Sequence, residues 1–180
     1  MRADAARNLD AVVETGARLL AEDPSVTMAA IAAEAGVDRR TVYRRFAGRE
    51  ALLDAIYRAR LDAVEEVLDR ARLDSAPVAV ALHRLVEGFI AVFRRYAVDP
   101  DLMPCDEEFR ARMRDIHERI VAFLRRGMDE GLIRSDLPDG LVAALHKSIV
   151  TVYARQFTEL DPDRAADLAV DTFLNGVGPS

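Results

Sequence analysis

Five arginines fall between residues 39 and 49: Arg39, Arg40, Arg44, Arg45 and Arg49, with Tyr43 among them. A guanidinium is a planar fork of donors. It matches the O6 and N7 acceptors of guanine in a major groove, and it grips phosphate oxygens two at a time. The Tyr43 hydroxyl can reach a phosphate oxygen and its ring a thymine methyl. From Gly36 to Arg49 the only acid is Asp38, so this stretch carries a local charge of +4. The whole chain has 25 basic against 31 acidic groups and a formal net charge of −6. Averaged over the molecule, that balance argues against a polyanionic partner. The average misleads. Residues 1–50 hold 8 basic and 8 acidic groups and are neutral, whereas residues 51–180 hold 17 and 23. The acidity belongs to the second part, where it is expected to suppress non-specific contact with nucleic acid.

Other chemistries fit less well. There is no Gly-x-Ser-x-Gly, no phosphate-cradling glycine loop and no His-Glu-x-x-His, so catalysis is not expected. His83, His117 and His146 are the only histidines, and no pair of His or Cys stands three or four residues apart, so neither a metal nor another cofactor is expected. Cys105 is the single cysteine; its neighbours Asp106 and Glu107 raise a thiol pKa rather than lower it, which speaks against a redox sensor. One cysteine and the lack of a long apolar run or a leader-like start are read as a soluble, cytoplasmic chain. The pairs Glu65-Glu66 and Glu107-Glu108 point about 100° apart on a helix and read as solvated faces.

The elements that must position these residues are all helices. Apolar residues recur at helical spacing along the chain, with no alternating strand pattern. Asp23-Pro24 stops a first helix. Thr27 caps a second that runs to Ala35. Gly36 turns the chain, and Asp38 caps a third through about Phe46. A long helix follows from Arg49 to about Ala71. Asp74 to Pro77 starts the next, and Val98 to Pro104 reads as a loop. A further helix ends at Gly131. Pro138 sits in the first turn of one through Phe157, and Asp161-Pro162 opens the last, ended by Gly176, Gly178 and Pro179. The expected class is all-α, with a three-helix head over 1–50 and a helical body over 51–180.

The segment Val26–Glu50 has the two short helices and glycine turn of a helix-turn-helix. On a wheel of the third helix, Val42 and Phe46 share the core face, Arg40, Tyr43 and Arg44 lie opposite, and Arg39 and Arg45 flank them. Thr27, Ile31-Ala32, Ala35-Gly36-Val37, Thr41-Val42-Tyr43, Phe46, Arg49-Glu50 and Leu52 together resemble the DNA-binding domain of the TetR (tetracycline-repressor) family of bacterial transcriptional regulators, over roughly residues 8–56. Two positions depart from that pattern, since Arg45 stands where the family usually has His and Arg49 where it usually has Lys. A third, Arg40, stands where a small residue is frequent. All three keep or add a donor. The resemblance implies that Arg39, Arg40, Tyr43 and Arg44 lie toward base edges, while Thr27, Thr41, Arg45 and Arg49 grip phosphates.

The body resembles the family only in general form, which implies an unidentified small-molecule effector and a homodimer through the last two helices. Leu141, Leu145, Ile149 and Val152 form one stripe, and Val142, His146, Val150, Tyr153 and Phe157 a second beside it. Together they exceed what one partner helix covers. By the same resemblance the effector lies between the middle helices, among Phe89, Phe93, Tyr96, Met113, Phe123, His146 and Tyr153. The expected activity is repression at a near-palindromic operator, relieved by effector binding. The alternative is the same DNA head with no small-molecule effector, controlled by a protein partner or not at all.

Overall fold

The computed structural model describes residues 2–98 and 106–178. These residues form eight helices and no strand: α1 (Arg2–Glu22), α2 (Met28–Glu34), α3 (Arg39–Arg45), α4 (Arg49–Ala71), α5 (Val78–Arg95), α6 (Glu107–Asp129), α7 (Asp139–Gln156) and α8 (Pro162–Val177). The loop expected from Val98 to Pro104 lies outside the described residues except for Val98, and Cys105 lies outside them altogether. Two helix ends differ from expectation. Pro138 is the extended residue before α7 rather than part of its first turn. α8 continues past Gly176 to Val177, and Gly178 closes it by donating its N–H to the Leu174 carbonyl.

The chain divides into two compact units, one formed by Met1–Leu61 with Arg95–Asp106, the other by Asp62–Arg94 with Glu107–Ser180. The border expected after residue 50 falls instead within α4. The reason is packing: Leu52 and Ile56 of α4 are fully buried, and both press on α1 at Gly16, where a β-carbon would lie 3.2 Å and 3.3 Å from their side chains.

In the first unit α1 packs on α2 and α2 on α3. Val12, Ala17, Ile31, Ala32, Val42 and Phe46 are buried there. Burial of this apolar surface is the main stabilising term. An Arg18–Glu34 ion pair at 2.8 Å joins α1 to α2 at the surface.

In the second unit α7 packs on both α6 and α8. α5 buries Leu82, Leu85, Val86, Phe89 and Ile90, and α8 buries a smooth alanine face of Ala165, Ala166 and Ala169. Two arginines seal loops. Arg94 donates to the carbonyls of Tyr153, Phe157 and Leu160, satisfying the free end of α7. Arg126 donates to those of Leu73 and Ala76. Arg112 of α6 binds Asp62 and both oxygens of Glu65 on α4, so Glu65 is a structural partner rather than part of a solvated face.

α4 and α5 meet closely at Gly88, where a β-carbon would lie 2.5 Å and 2.8 Å from the two methyl carbons of Val67. Gly88→Ala gains about 1 kcal/mol of helix propensity but forces a stiff β-branched side chain aside, at about 1–3 kcal/mol. The expected net result is a lower Tm in thermal unfolding. A second change, Val67→Ala, restores it; an unchanged Tm for Gly88→Ala alone contradicts the close approach.

Candidate nucleic-acid interface

The turn between α2 and α3 is set by backbone chemistry. Gly36 adopts φ +66°, a conformation that costs a glycine nothing. With it, the N–H of Val37 reaches the carbonyl of Ala32 at 3.0 Å and that of Gly36 the carbonyl of Ala33 at 3.1 Å. This paired closure is a Schellman motif. Asp38 then starts α3, its carboxylate accepting from the N–H groups of Arg40 and Thr41 at 2.9 Å and 3.3 Å. The single acid of the stretch is thus committed to capping.

α3 has seven residues, too few to be stable alone. Val42 is fully buried and Phe46 is 4% exposed, and these two hold it. Arg39, Arg40, Tyr43, Arg44 and Arg45 are all exposed, and Thr41 is half-buried. They differ in what restrains them. The Arg39 guanidinium lies 5.2 Å from the Tyr43 ring centre, and that of Arg45 lies 5.9 Å from the Phe46 ring centre, both within cation–π range. The guanidinium groups of Arg40 and Arg44 have no hydrogen bond, ion pair or ring contact among the described residues.

Thr27 caps α2, its Oγ1 accepting from the N–H of Ala30 at 3.2 Å. The hydroxyl proton is left to donate outward, and the residue is exposed. The α1–α2 turn beside it is braced twice. Asp23 accepts from the Ser25 hydroxyl at 2.7 Å and the Ser25 N–H at 2.8 Å; these two bonds hold its carboxyl below the usual range. Arg49, half-buried at the start of α4, donates to the carbonyls of Pro24 and Val26. Sequence reasoning missed that brace. Both Arg49 amino groups are engaged at the turn that leads into Thr27.

The body residues are only partly brought together. Phe89 and Phe93 stack with ring centres 5.6 Å apart. His146 stands edge-on between Phe89 at 6.1 Å and Phe173 at 5.7 Å. It is 2% exposed, and its Nε2 has no hydrogen-bond partner. Burial pushes its pKa down to about 4, so the imidazole is neutral at physiological pH. Phe173 was absent from the expected lining; its place on the apolar face of α8 was legible, but not its pairing with α7. Met113 is 39% exposed on α6. Tyr153 meets Phe157 at 5.4 Å between ring centres and the Thr172 hydroxyl at 3.0 Å. Phe123 is buried, with the Arg126 guanidinium 5.9 Å from its ring centre. Tyr96 is buried and belongs to the first unit. Of the other histidines, His83 meets Asp167 at 3.0 Å and His117 is exposed.

The two stripes of α7 separate. Val142, His146 and Val150 point inward, whereas Leu141 and Val152 are 45% and 37% exposed. Phe157, at the end of the second stripe, caps α7 and is 39% exposed. Among the described residues no cluster of His, Cys, Asp and Glu is arranged for a metal, and no helix is long and apolar enough to cross a membrane.

Residues 12–56 match the family described as bacterial regulatory proteins, tetR family. The chain is 34% identical over 139 residues to the HTH-type transcriptional repressor LfrR of Mycolicibacterium smegmatis, a match covering 74% of this chain and 70% of LfrR. The crystal structure of LfrR in complex with proflavine superimposes with a TM-score of 0.74 at 26% identity, over 97% of this chain and 99% of that one. The ketosteroid transcriptional regulator KstR2 of Mycobacterium tuberculosis has the same fold, with a TM-score of 0.75 at 20% identity over 96% and 95% of the two chains.

Proposed function

The chain belongs to the TetR family of bacterial transcriptional regulators, and on that premise we propose that it is a cytoplasmic homodimeric repressor, held on a near-palindromic operator by α3 and released by a small-molecule effector. The observation that carries the DNA-binding half is the face of α3: Val42 and Phe46 are buried while Arg40, Tyr43 and Arg44 stand out from the opposite side. Arg39, Arg40, Tyr43 and Arg44 are assigned to base edges. Thr27, Thr41 and Arg45 are assigned to phosphates, with Arg49 both bracing Thr27 and lending its remaining donors.

The exposed apolar stripe of α7, with Leu141 and Val152, supports a two-fold interface through α7 and α8. Two heads related by that axis call for half-sites about 34–36 Å apart, or a multiple. The orphan Nε2 of His146, set among Phe89, Phe93 and Phe173, supports an effector with a flat apolar body and one hydrogen-bonding group. A buried polar atom without a partner costs about 1–3 kcal/mol, which such a ligand recovers.

α4 runs unbroken from Arg49 to Ala71, beginning in the first unit and ending in the second. It is the lever of the proposed release, in which effector binding favours a head spacing that the operator does not fit.

Proflavine, the compound bound in the LfrR structure, is the first probe. At a hundredfold excess over its Kd a ligand adds about 2.7 kcal/mol of stability. The expected result is a raised Tm and release of DNA by proflavine or another flat aromatic compound. If a broad library neither raises the Tm nor releases DNA, the effector half falls, and control by a protein partner or none replaces it.

A further inference from the structure

We infer that each operator half-site presents two guanines, about two base-pair steps apart, read through O6 and N7 by Arg44 and Arg40. The inference rests on the reading of α3 as the DNA-reading helix and adds the identity of the bases.

The argument begins with direction. At 100° per residue, Arg40 and Arg44 each lie about 20° from the direction opposite Val42, on either side of it. Val42 is fully buried, so these two form the crest of α3. A helix seated in the major groove carries its crest deepest, toward base edges, and its flanks toward the phosphate walls. Arg39 and Arg45 lie further round the helix from the crest, each restrained on a ring, Tyr43 and Phe46 respectively. Among the described residues the guanidinium groups of Arg40 and Arg44 have no such contact, and the one nearby acid, Asp38, is committed to the N–H groups of Arg40 and Thr41. Both crest guanidinium groups therefore keep all their donors.

Chemistry then selects the base. A guanidinium has donors only. Guanine offers two adjacent acceptors in the major groove, whereas adenine pairs its N7 with an amine donor and cytosine offers a donor alone. Two donor-only crest residues thus favour guanine twice. Their spacing follows from helix geometry: four residues rise about 6 Å, and stacked base pairs repeat every ~3.4 Å, giving about two steps.

The test is selection of bound duplexes from a random pool with the full chain at fixed salt, repeated with Arg40→Ala and Arg44→Ala. Both sites are exposed, and circular dichroism checks that the variants fold. Wild type should enrich half-sites with two G·C pairs about two steps apart. Each variant should relax one of them, with affinity for the selected duplex falling roughly 5- to 150-fold. Replacing either guanine by 7-deazaguanine, which lacks the N7 acceptor, should weaken wild type and leave the matching variant unaffected. Enriched half-sites without those guanines overturn the inference and leave the DNA-binding reading intact. So does a uniform loss of affinity without relaxed preference, which marks the arginines as phosphate contacts. No enriched sequence at all removes the DNA-reading helix itself, and the inference with it.

Discussion

Replacing Phe46 with alanine will cut operator affinity by about two orders of magnitude although Phe46 is buried away from the arginine face. α3 has only seven residues and owes its order to two anchors, Val42 and Phe46. Phe46 is 4% exposed and also ends the helix, its N–H bonding the Val42 carbonyl at 2.8 Å. Truncating a buried phenylalanine costs about 3–5 kcal/mol. The small first unit has little surplus to absorb this. Arg45 loses the ring beneath its guanidinium at the same time. The expected result is a drop in DNA affinity of about 100-fold or more, measured at constant salt, with a lower midpoint in urea unfolding. Phe46→Leu keeps most of the apolar volume and should retain most of the affinity. Binding by Phe46→Ala within twofold of wild type contradicts the anchoring role.

The second large effect concerns acid. His146 is buried among rings with its pKa pushed down to about 4 by burial, against about 6.5 in an unfolded chain. Between those values the unfolded chain binds a proton that the folded chain refuses. Stability must therefore fall as pH drops from about 6.5 toward 4, and this contribution levels off below that. The loss attributable to this residue is on the order of 3 kcal/mol. Carboxylates titrate over the same range, so the decisive quantity is the difference between wild type and His146→Leu, each unfolded by urea across pH 7 to 4. That difference should shift against wild type by about 3 kcal/mol, starting at neutral pH from a leucine variant at least as stable, since no orphan nitrogen remains. Parallel pH curves would show that the imidazole is solvated or partnered.

The DNA head was legible because its signals are local. The Thr27 and Asp38 caps and the Gly36 turn each act within about four residues, and each forms as the sequence implies. The wheel of α3 separated Val42 and Phe46 from the arginines for the same reason. What depends on one element meeting another was not legible. Arg49 reads from the sequence as a phosphate donor alone, and its second role, bracing the turn at Pro24–Val26 through both amino groups, exists only once that turn folds against it. Met113 and Phe173 both read as apolar helix positions, but α6 turns Met113 outward while α8 sets Phe173 against His146. The border after residue 50 followed a helix start, whereas compactness follows Leu52 and Ile56 onto α1. Periodicity names the buried face of a helix; it does not say which neighbour that face meets.

The claim at the centre is that the outward face of α3 holds a specific DNA sequence. Its most direct test is a footprint and affinity titration of wild type against Arg44→Ala on the same duplex at the same salt. The account predicts two protected half-sites about one helical turn apart, or a multiple, for wild type. It predicts specific binding weakened by ~1–3 kcal/mol for the variant, with weak non-specific binding changed far less. An unchanged footprint and affinity for Arg44→Ala would remove Arg44 from the interface and contradict the account.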